Sequence, residues 1–148
     1  DHSMAVIAGK KLPRTRSISM NGHMNGSVNW SYDPGFHYYR KSTDIVAPSP
    51  AQAWVFVDER EQSIDDGFFL QFVSTRNGNA IDQWGNLAAI YHNGAAGFSF
   101  ADGHAEIHKW LDAPTLVSLP PNQRPSGTFI APRDVRWLRE RTSAPIGQ

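Results

Sequence analysis

The sequence predicts an α+β fold, a small antiparallel sheet with irregular loops and a C-terminal helix. Three observations support it. Asp102-Gly103 stands between two runs of alternating apolar and polar residues, the pattern of a β-hairpin. Residues 53–58 form a short apolar run rich in β formers, which predicts a central strand. Pro132, followed by Val135 and Leu138 on one face, predicts a terminal helix. The length of 148 residues suits a single domain, residues 1–148.

The remaining elements follow in chain order. Turns at Asn21-Gly22 and Asn25-Gly26 flank a short predicted strand at residues 18–20. Residues 27–50 mix aromatic residues with turn formers, which predicts a long surface loop. Further strands are predicted at residues 67–73 and 88–92. Repeated prolines between residues 114 and 132 exclude long regular structure before the terminal helix.

The hairpin register follows from its turn. A two-residue Asp102-Gly103 loop suits a type I′ turn, and it sets Ala101 opposite His104. One face of the hairpin then carries Phe98, Phe100, Ala105 and Ile107. The other face carries Gly97, Ser99, Ala101, His104, Glu106 and His108. We expect Phe98 and Phe100 to complete the core with Trp54 and Phe56, and the polar stripe to face solvent.

The hairpin also contains a motif with a characteristic spacing. His92 precedes Asp102-Gly103 by nine intervening residues, and three further blocks lie at residues 16–22, 54–67 and 134–138. In this order the blocks resemble the prepilin-type processing-associated H-X9-DG family, whose members resemble the pseudopilins of type II secretion systems. The resemblance covers most of the chain. It implies a pilin-like head domain in the cell envelope or outside the cell, with other pilin-like subunits or itself as partners.

That family begins with a short leader and a long hydrophobic helix, and this sequence contains neither. We therefore expect the chain to be the head domain that such a helix carries, with membrane contact only through the helix. No apolar run in the sequence approaches the roughly 20 residues that span a bilayer.

Composition excludes several classes of function. Fourteen basic and fourteen acidic residues leave no net charge, so the chain has no basic excess for a nucleic acid backbone. Without cysteine it has neither disulfides nor thiolate metal ligands.

The acidic stretch after the predicted central strand is the best metal candidate. Asp58, Glu59, Asp65 and Asp66 offer several carboxylates in a short connection, which suits calcium. The resemblance adds weight, because pseudopilin heads commonly bind calcium in a loop near the sheet. The alternative is a solvated acidic loop.

Three functional hypotheses stay open. The first is a pseudopilin-like structural or interaction subunit of a secretion system or surface filament. The second is an exported polysaccharide lyase acting on acidic polysaccharide, in which His92 and Tyr91 move a proton and Arg40 neutralises the sugar carboxylate. In the structural alternative, His92 bonds a backbone carbonyl or the Asp102 turn. The third is a glycan-binding module that uses exposed aromatic side chains. Its candidates are Trp30, Tyr38, Tyr39 and Trp84.

Overall fold

The computed structural model describes residues 4–7, 10–13, 16–24, 33–74, 81–120 and 129–147. It confirms the α+β class, with one five-stranded sheet, two helices and long irregular connections. The elements in chain order are β1 (Met4–Ile7), β2 (Lys10–Pro13), β3 (Ile18–Asn21), β4 (Trp54–Asp58), β5 (Phe68–Phe69), β6 (Ala95–Phe100), β7 (Ala105–Lys109), α1 (Ala113–Leu116) and α2 (Pro132–Thr142). Among these residues, no helix has both the length and the apolar character needed to cross a membrane.

The main sheet has the strand order β5-β3-β4-β6-β7, so the predicted strand at 53–58 is central. Neighbouring strands are antiparallel except β3 and β5, which are parallel, and the sheet is therefore mixed. The strand predicted at 67–73 shortens to β5, because Leu70 N bonds the Asn86 side chain instead of another strand. Of the strand predicted at 88–92, only an isolated bridge between Ala88 and Glu59 forms. Strands β1 and β2 form a separate two-stranded sheet.

The predicted hairpin is present, but its register is one residue away from the prediction. Gly103 N donates to Phe100 O at 3.0 Å, and Phe100 N donates to His104 O at 2.9 Å. The loop is therefore residues 101–103, with Gly103 at φ +96° in the left-handed region. Phe98 consequently faces Glu106, and Ile107 turns to the outer face with 67% of its surface exposed. The predicted type I′ turn and the predicted faces of β7 are wrong because the loop holds three residues.

The core lies between the inner face of the sheet and α2. Trp54 packs edge to face on Phe98, with ring centroids 6.0 Å apart, and Val135 and Leu138 of α2 are fully buried. Phe56, predicted in the core, is instead 44% exposed. The register of β4 against β6 shifts between Trp54 and Phe56, and this bulge turns Phe56 outward.

The terminal helix begins at Pro132, as predicted, and two carboxylates join its first turn to the end of β7. Asp134 accepts hydrogen bonds from the backbone N–H groups of Leu111 and Asp112, at 2.8 and 3.0 Å. Asp112 in turn accepts from the N–H groups of Arg133 and Asp134. The reciprocal pairs satisfy N–H groups that a helix start leaves without an intrahelical partner.

Candidate functional site

His92 lies where β4 ends and β6 begins. Its Nε2 is 3.2 Å from Oδ2 of Asp58, the last residue of β4, and Gly97 N donates to the same oxygen at 3.3 Å. Asn93 and Gly94, both at positive φ, complete the turn before β6, and Gly94 N donates to Ile90 O. His92 therefore ties this turn to the end of β4, although 49% of its side chain remains exposed. It does not contact Asp102, which bonds His104.

The other two proposed catalytic residues, Tyr91 and Arg40, have different surroundings. Tyr91 is exposed, and its hydroxyl accepts a hydrogen bond from Glu61 N at 3.1 Å. Arg40 is exposed and follows Tyr39, which packs on Ala53 immediately before β4. The length of β4, roughly 13 Å, therefore separates the surroundings of Arg40 from those of His92. Tyr91 precedes His92 in the same turn, while Arg40 lies near the other end of β4.

The first two predicted calcium ligands lie on opposite faces of the sheet. Asp58 lies on the outer face, whereas Glu59 is buried on the inner side and bonds Ser63 Oγ and Asn86 Nδ2, at 2.8 and 2.7 Å. Asp65 and Asp66 accept hydrogen bonds from nearby backbone N–H groups. In the described part of the chain, no three His, Cys, Asp or Glu side chains converge. Calcium binding by Asp58, Glu59, Asp65 and Asp66 therefore stays a prediction.

The buried Glu59 is electrostatically perturbed by its surroundings. Burial raises its pKa above the usual 4.5, while hydrogen bonds from Ser19, Ser63 and Asn86 act against the rise. The charge of Asp65 adds to the increase. Glu59 therefore has a structural role as a buried, hydrogen-bonded residue. The sequence did not indicate this role, because Glu59 lies in a run of acidic residues that is typical of an exposed loop.

Two of the four predicted glycan-binding aromatics, Tyr39 and Trp84, are buried. Trp84 is 3% exposed and donates its indole N–H to Thr115 Oγ1 at 3.1 Å. Tyr39 is equally buried, and its hydroxyl bonds Ala47 O. Tyr38 stacks on the buried His23, with ring centroids 4.6 Å apart. Trp30 lies outside the described residues. Trp84 and Tyr39 therefore lack the free ring face that sugar stacking needs.

Sequence reasoning missed the polar centre formed by His23 and Asp33. His23 Nδ1 lies 3.0 Å from His37 O, and His23 Nε2 lies 3.8 Å from Asp33 Oδ2. Burial would raise the pKa of Asp33, but His23, Ser74 and the N–H of Val73 outweigh it and hold this pKa below its usual value. His23 follows a predicted Asn-Gly turn, and no local pattern connects it to an aspartate ten residues away.

The outer face of the sheet holds an apolar groove of about 710 Å³. The predicted register did not indicate this groove, because it places Ile107 on the core face. Ile18, Phe56 and Ile107 supply its large side chains, and all three are substantially exposed. Small residues lie between them on β6 and β7, namely Gly97, Ser99 and Ala105. Asp58 and Glu106 also line it, so the His92 contact lies beside the groove.

Comparisons with family models, with curated proteins and with solved structures find no match to this chain. The resemblance to the H-X9-DG family therefore stays a prediction based on the sequence blocks.

Proposed function

We propose that this chain is the head of a pseudopilin-like structural or interaction subunit of a secretion system or surface filament, located in the cell envelope or outside the cell. The outer face of the sheet receives the apolar helix that such subunits carry. The single observation that supports the proposal most directly is the apolar groove on that face.

The shape and chemistry of the groove suit a helix. Gly97 and Ala105 leave room between the larger Phe56 and Ile107, so a helix ridge can approach the strands closely. A helix satisfies its own backbone hydrogen bonds, so it can bury an apolar stripe here without leaving polar groups unpaired. Covering the exposed parts of Phe56 and Ile107 is favourable by about 25 cal/mol for each Å² of apolar surface.

The contacts of His92 also favour a structural role. His92 connects a turn to the end of β4 through Asp58, and Tyr91 and Arg40 are not brought together around a cleft. Calcium binding by the acidic stretch stays a prediction, and this proposal does not depend on it.

A hydrophobic dye tests the groove. We expect the native chain to enhance the fluorescence of the dye, and Phe56→Glu to reduce the enhancement severalfold. The control is Val46→Glu, which replaces an exposed apolar residue that does not line the groove. In a second arm, an apolar helix of about 20 residues is fused ahead of residue 1. It should block the dye and raise the melting temperature, whereas a polar helix of equal length should do neither. Unchanged dye binding with the apolar helix would contradict the proposal.

One observation keeps the lyase hypothesis as a second candidate: the half-exposed His92 is held by a carboxylate, as general bases often are. The test follows ultraviolet absorbance of unsaturated uronate during incubation with acidic polysaccharides, with calcium and with chelator. A rise that His92→Ala abolishes and His104→Ala retains would establish an enzyme. Under the structural proposal absorbance stays flat, and His92→Ala lowers the free energy of unfolding by about 0.5–1 kcal/mol.

A further inference from the structure

Strand β7 is an edge of the main sheet, and no other described strand pairs with its outer side. The strand order ends at β7, and four of its five residues, Ala105, Glu106, Ile107 and Lys109, are exposed. It contains no proline or bulge, and it pairs regularly with β6 along its whole length. A regular, exposed edge of this kind presents backbone groups that can pair with another strand.

The register identifies which backbone groups are available. Phe100 N bonds His104 O, and Trp110 N bonds Gly94 O, so His104 and Trp110 direct their backbone groups toward β6. Because these groups alternate along an antiparallel strand, Ala105, Ile107 and Lys109 direct theirs away from β6. Within the described residues, no hydrogen bond is made to these outward groups from beyond the sheet.

We propose that two copies of this chain pair through β7, antiparallel and about a two-fold axis at Ile107. Ile107 then lies opposite its own copy, and Ala105 lies opposite Lys109 of the second chain. Each of these is a hydrogen-bonded pair, because the outward groups of Ala105, Ile107 and Lys109 meet each other in this register. The two sheets join into one continuous sheet, and the two grooves become neighbours on its outer face.

Side chains along β7 complement each other in this arrangement. Glu106 lies opposite His108 of the second copy, so a carboxylate approaches an imidazole instead of a like charge. His108 stacks on Trp137, and the guanidinium of Arg141 lies 4.5 Å from the centre of the same ring. The carboxylate of Asp134 and the guanidinium of Arg141 both lie close enough to act on the charge of His108. Ala105 leaves space for the aliphatic stem of Lys109.

The test measures the mass of the chain by sedimentation over a range of concentrations. We expect a mass that rises toward twice that of one chain, and Ile107→Pro should return it to the mass of one chain. The N–H of Ile107 points away from β6, so a proline there removes only the bond to the second copy. Ile107→Val, which keeps the N–H group, is the matched control. A single-chain mass for the native protein at all concentrations, or a dimer that Ile107→Pro leaves intact, would overturn the proposal.

Cysteine cross-linking tests the register without relying on the proline variant. The chain has no cysteine, so Ile107→Cys carries a single thiol. Facing residues in a hydrogen-bonded pair have Cα atoms about 5.5 Å apart, within the range of a disulfide. In the same register two Ala105→Cys thiols lie roughly 14 Å apart along the strands, which is too far. We expect Ile107→Cys to cross-link under mild oxidation at least tenfold faster than Ala105→Cys. Equal rates would contradict the two-fold pairing.

Separate variants test the groove and the pairing through β7, so either proposal can be contradicted without the other. Phe56 does not belong to β7, so Phe56→Glu should reduce dye binding without changing the mass. Lys109 does not line the groove and its N–H also points away from β6, so Lys109→Pro should lower the mass while dye binding stays unchanged.

Discussion

Asp58 and Glu59 are adjacent carboxylates that occupy opposite environments. Asp58 is partly exposed on the outer face, where it holds His92 and the N–H of Gly97. Glu59 is fully buried, with Ser19, Ser63 and Asn86 around it. Consecutive side chains of an extended segment point to opposite faces, and this alternation is why the two acids cannot share a cation.

The nine-residue spacing between His92 and Asp102 corresponds to one strand with a turn at each end. Strand β6 occupies residues 95–100, so His92 lies before its first residue and Asp102 after its last. His92 bonds Asp58 at one end, while Asp102 bonds His104 at the other, 2.6 Å from its Nδ1. The motif therefore spans one strand and marks the turns at both of its ends.

Glu59 should make stability depend on pH in a defined direction. Because burial raises the pKa of Glu59 above 4.5, the folded chain binds this proton more tightly than the unfolded chain does. Its stabilising contribution is therefore fully present below pH 4.5 and is lost as the pH rises through the raised folded pKa. As the pH rises through the folded pKa of Glu59, we expect the free energy of unfolding of Glu59→Gln to increase relative to that of the native chain. Urea unfolding at a series of pH values measures the difference.

The control for this experiment is Glu140→Gln, which changes an exposed glutamate of α2. A difference between Glu59→Gln and the native chain that stays constant with pH would contradict the raised pKa.

At the scale of elements, one residue of loop length decides the role of β7. The three-residue loop at 101–103 sends Ile107 outward and turns His108 inward, where it stacks on Trp137 with ring centroids 3.6 Å apart. The predicted two-residue loop would have buried Ile107 instead. The apolar groove on the outer face follows from this difference, because Ile107 forms part of it.

The register predicts unequal costs for two substitutions in the hairpin. Phe98 is buried against Trp54 and Trp110, so Phe98→Ala should reduce the free energy of unfolding by about 3–5 kcal/mol. Ile107→Ala removes a mostly exposed side chain and should cost under about 1 kcal/mol in the isolated monomer. Urea unfolding at low protein concentration, where any dimer dissociates, compares the two variants. Similar large costs would favour the two-residue loop.

At the scale of the whole molecule, Arg60 connects segments that are distant in sequence. Its Nε donates to Ala88 O at 2.9 Å and its Nη1 to Val117 O at 2.8 Å, while Nη2 bonds Thr115 O. Burial lowers the pKa of Arg60 to about 10. Three carbonyls take the place of water around this buried guanidinium, and they hold the end of β4 against α1 and the segment before β6.

Arg60→Lys should therefore be strongly destabilising. A lysine ammonium lacks the planar fork that reaches three carbonyls, so at least one buried carbonyl loses its donor, at a cost of about 1–3 kcal/mol. Arg136→Lys, on the exposed face of α2, is the matched control and should change stability by under about 0.5 kcal/mol. Thermal and urea unfolding of both variants measure the effect. Equal stability of the two variants would contradict the role of Arg60.

Local sequence features were sufficient to predict the α+β class and three elements. The β-rich run at 53–58 became the central strand β4, Asp102-Gly103 marked the hairpin, and α2 begins at Pro132. These features act over a few residues, because backbone conformation at a strand, a turn or a helix start depends mainly on the side chains present there.

The tertiary structure alone decided which side chains meet. A bulge in β4 exposes Phe56, and a three-residue loop exposes Ile107. Contacts between distant segments bury Glu59 and Trp84 and separate Arg40 from His92. Side-chain direction in a sheet reverses with each residue, so a shift of one position exchanges core and surface without altering the sequence pattern. For this reason the sequence predicted the central strand, the hairpin and the terminal helix, while the groove and the open edge appeared only in the fold.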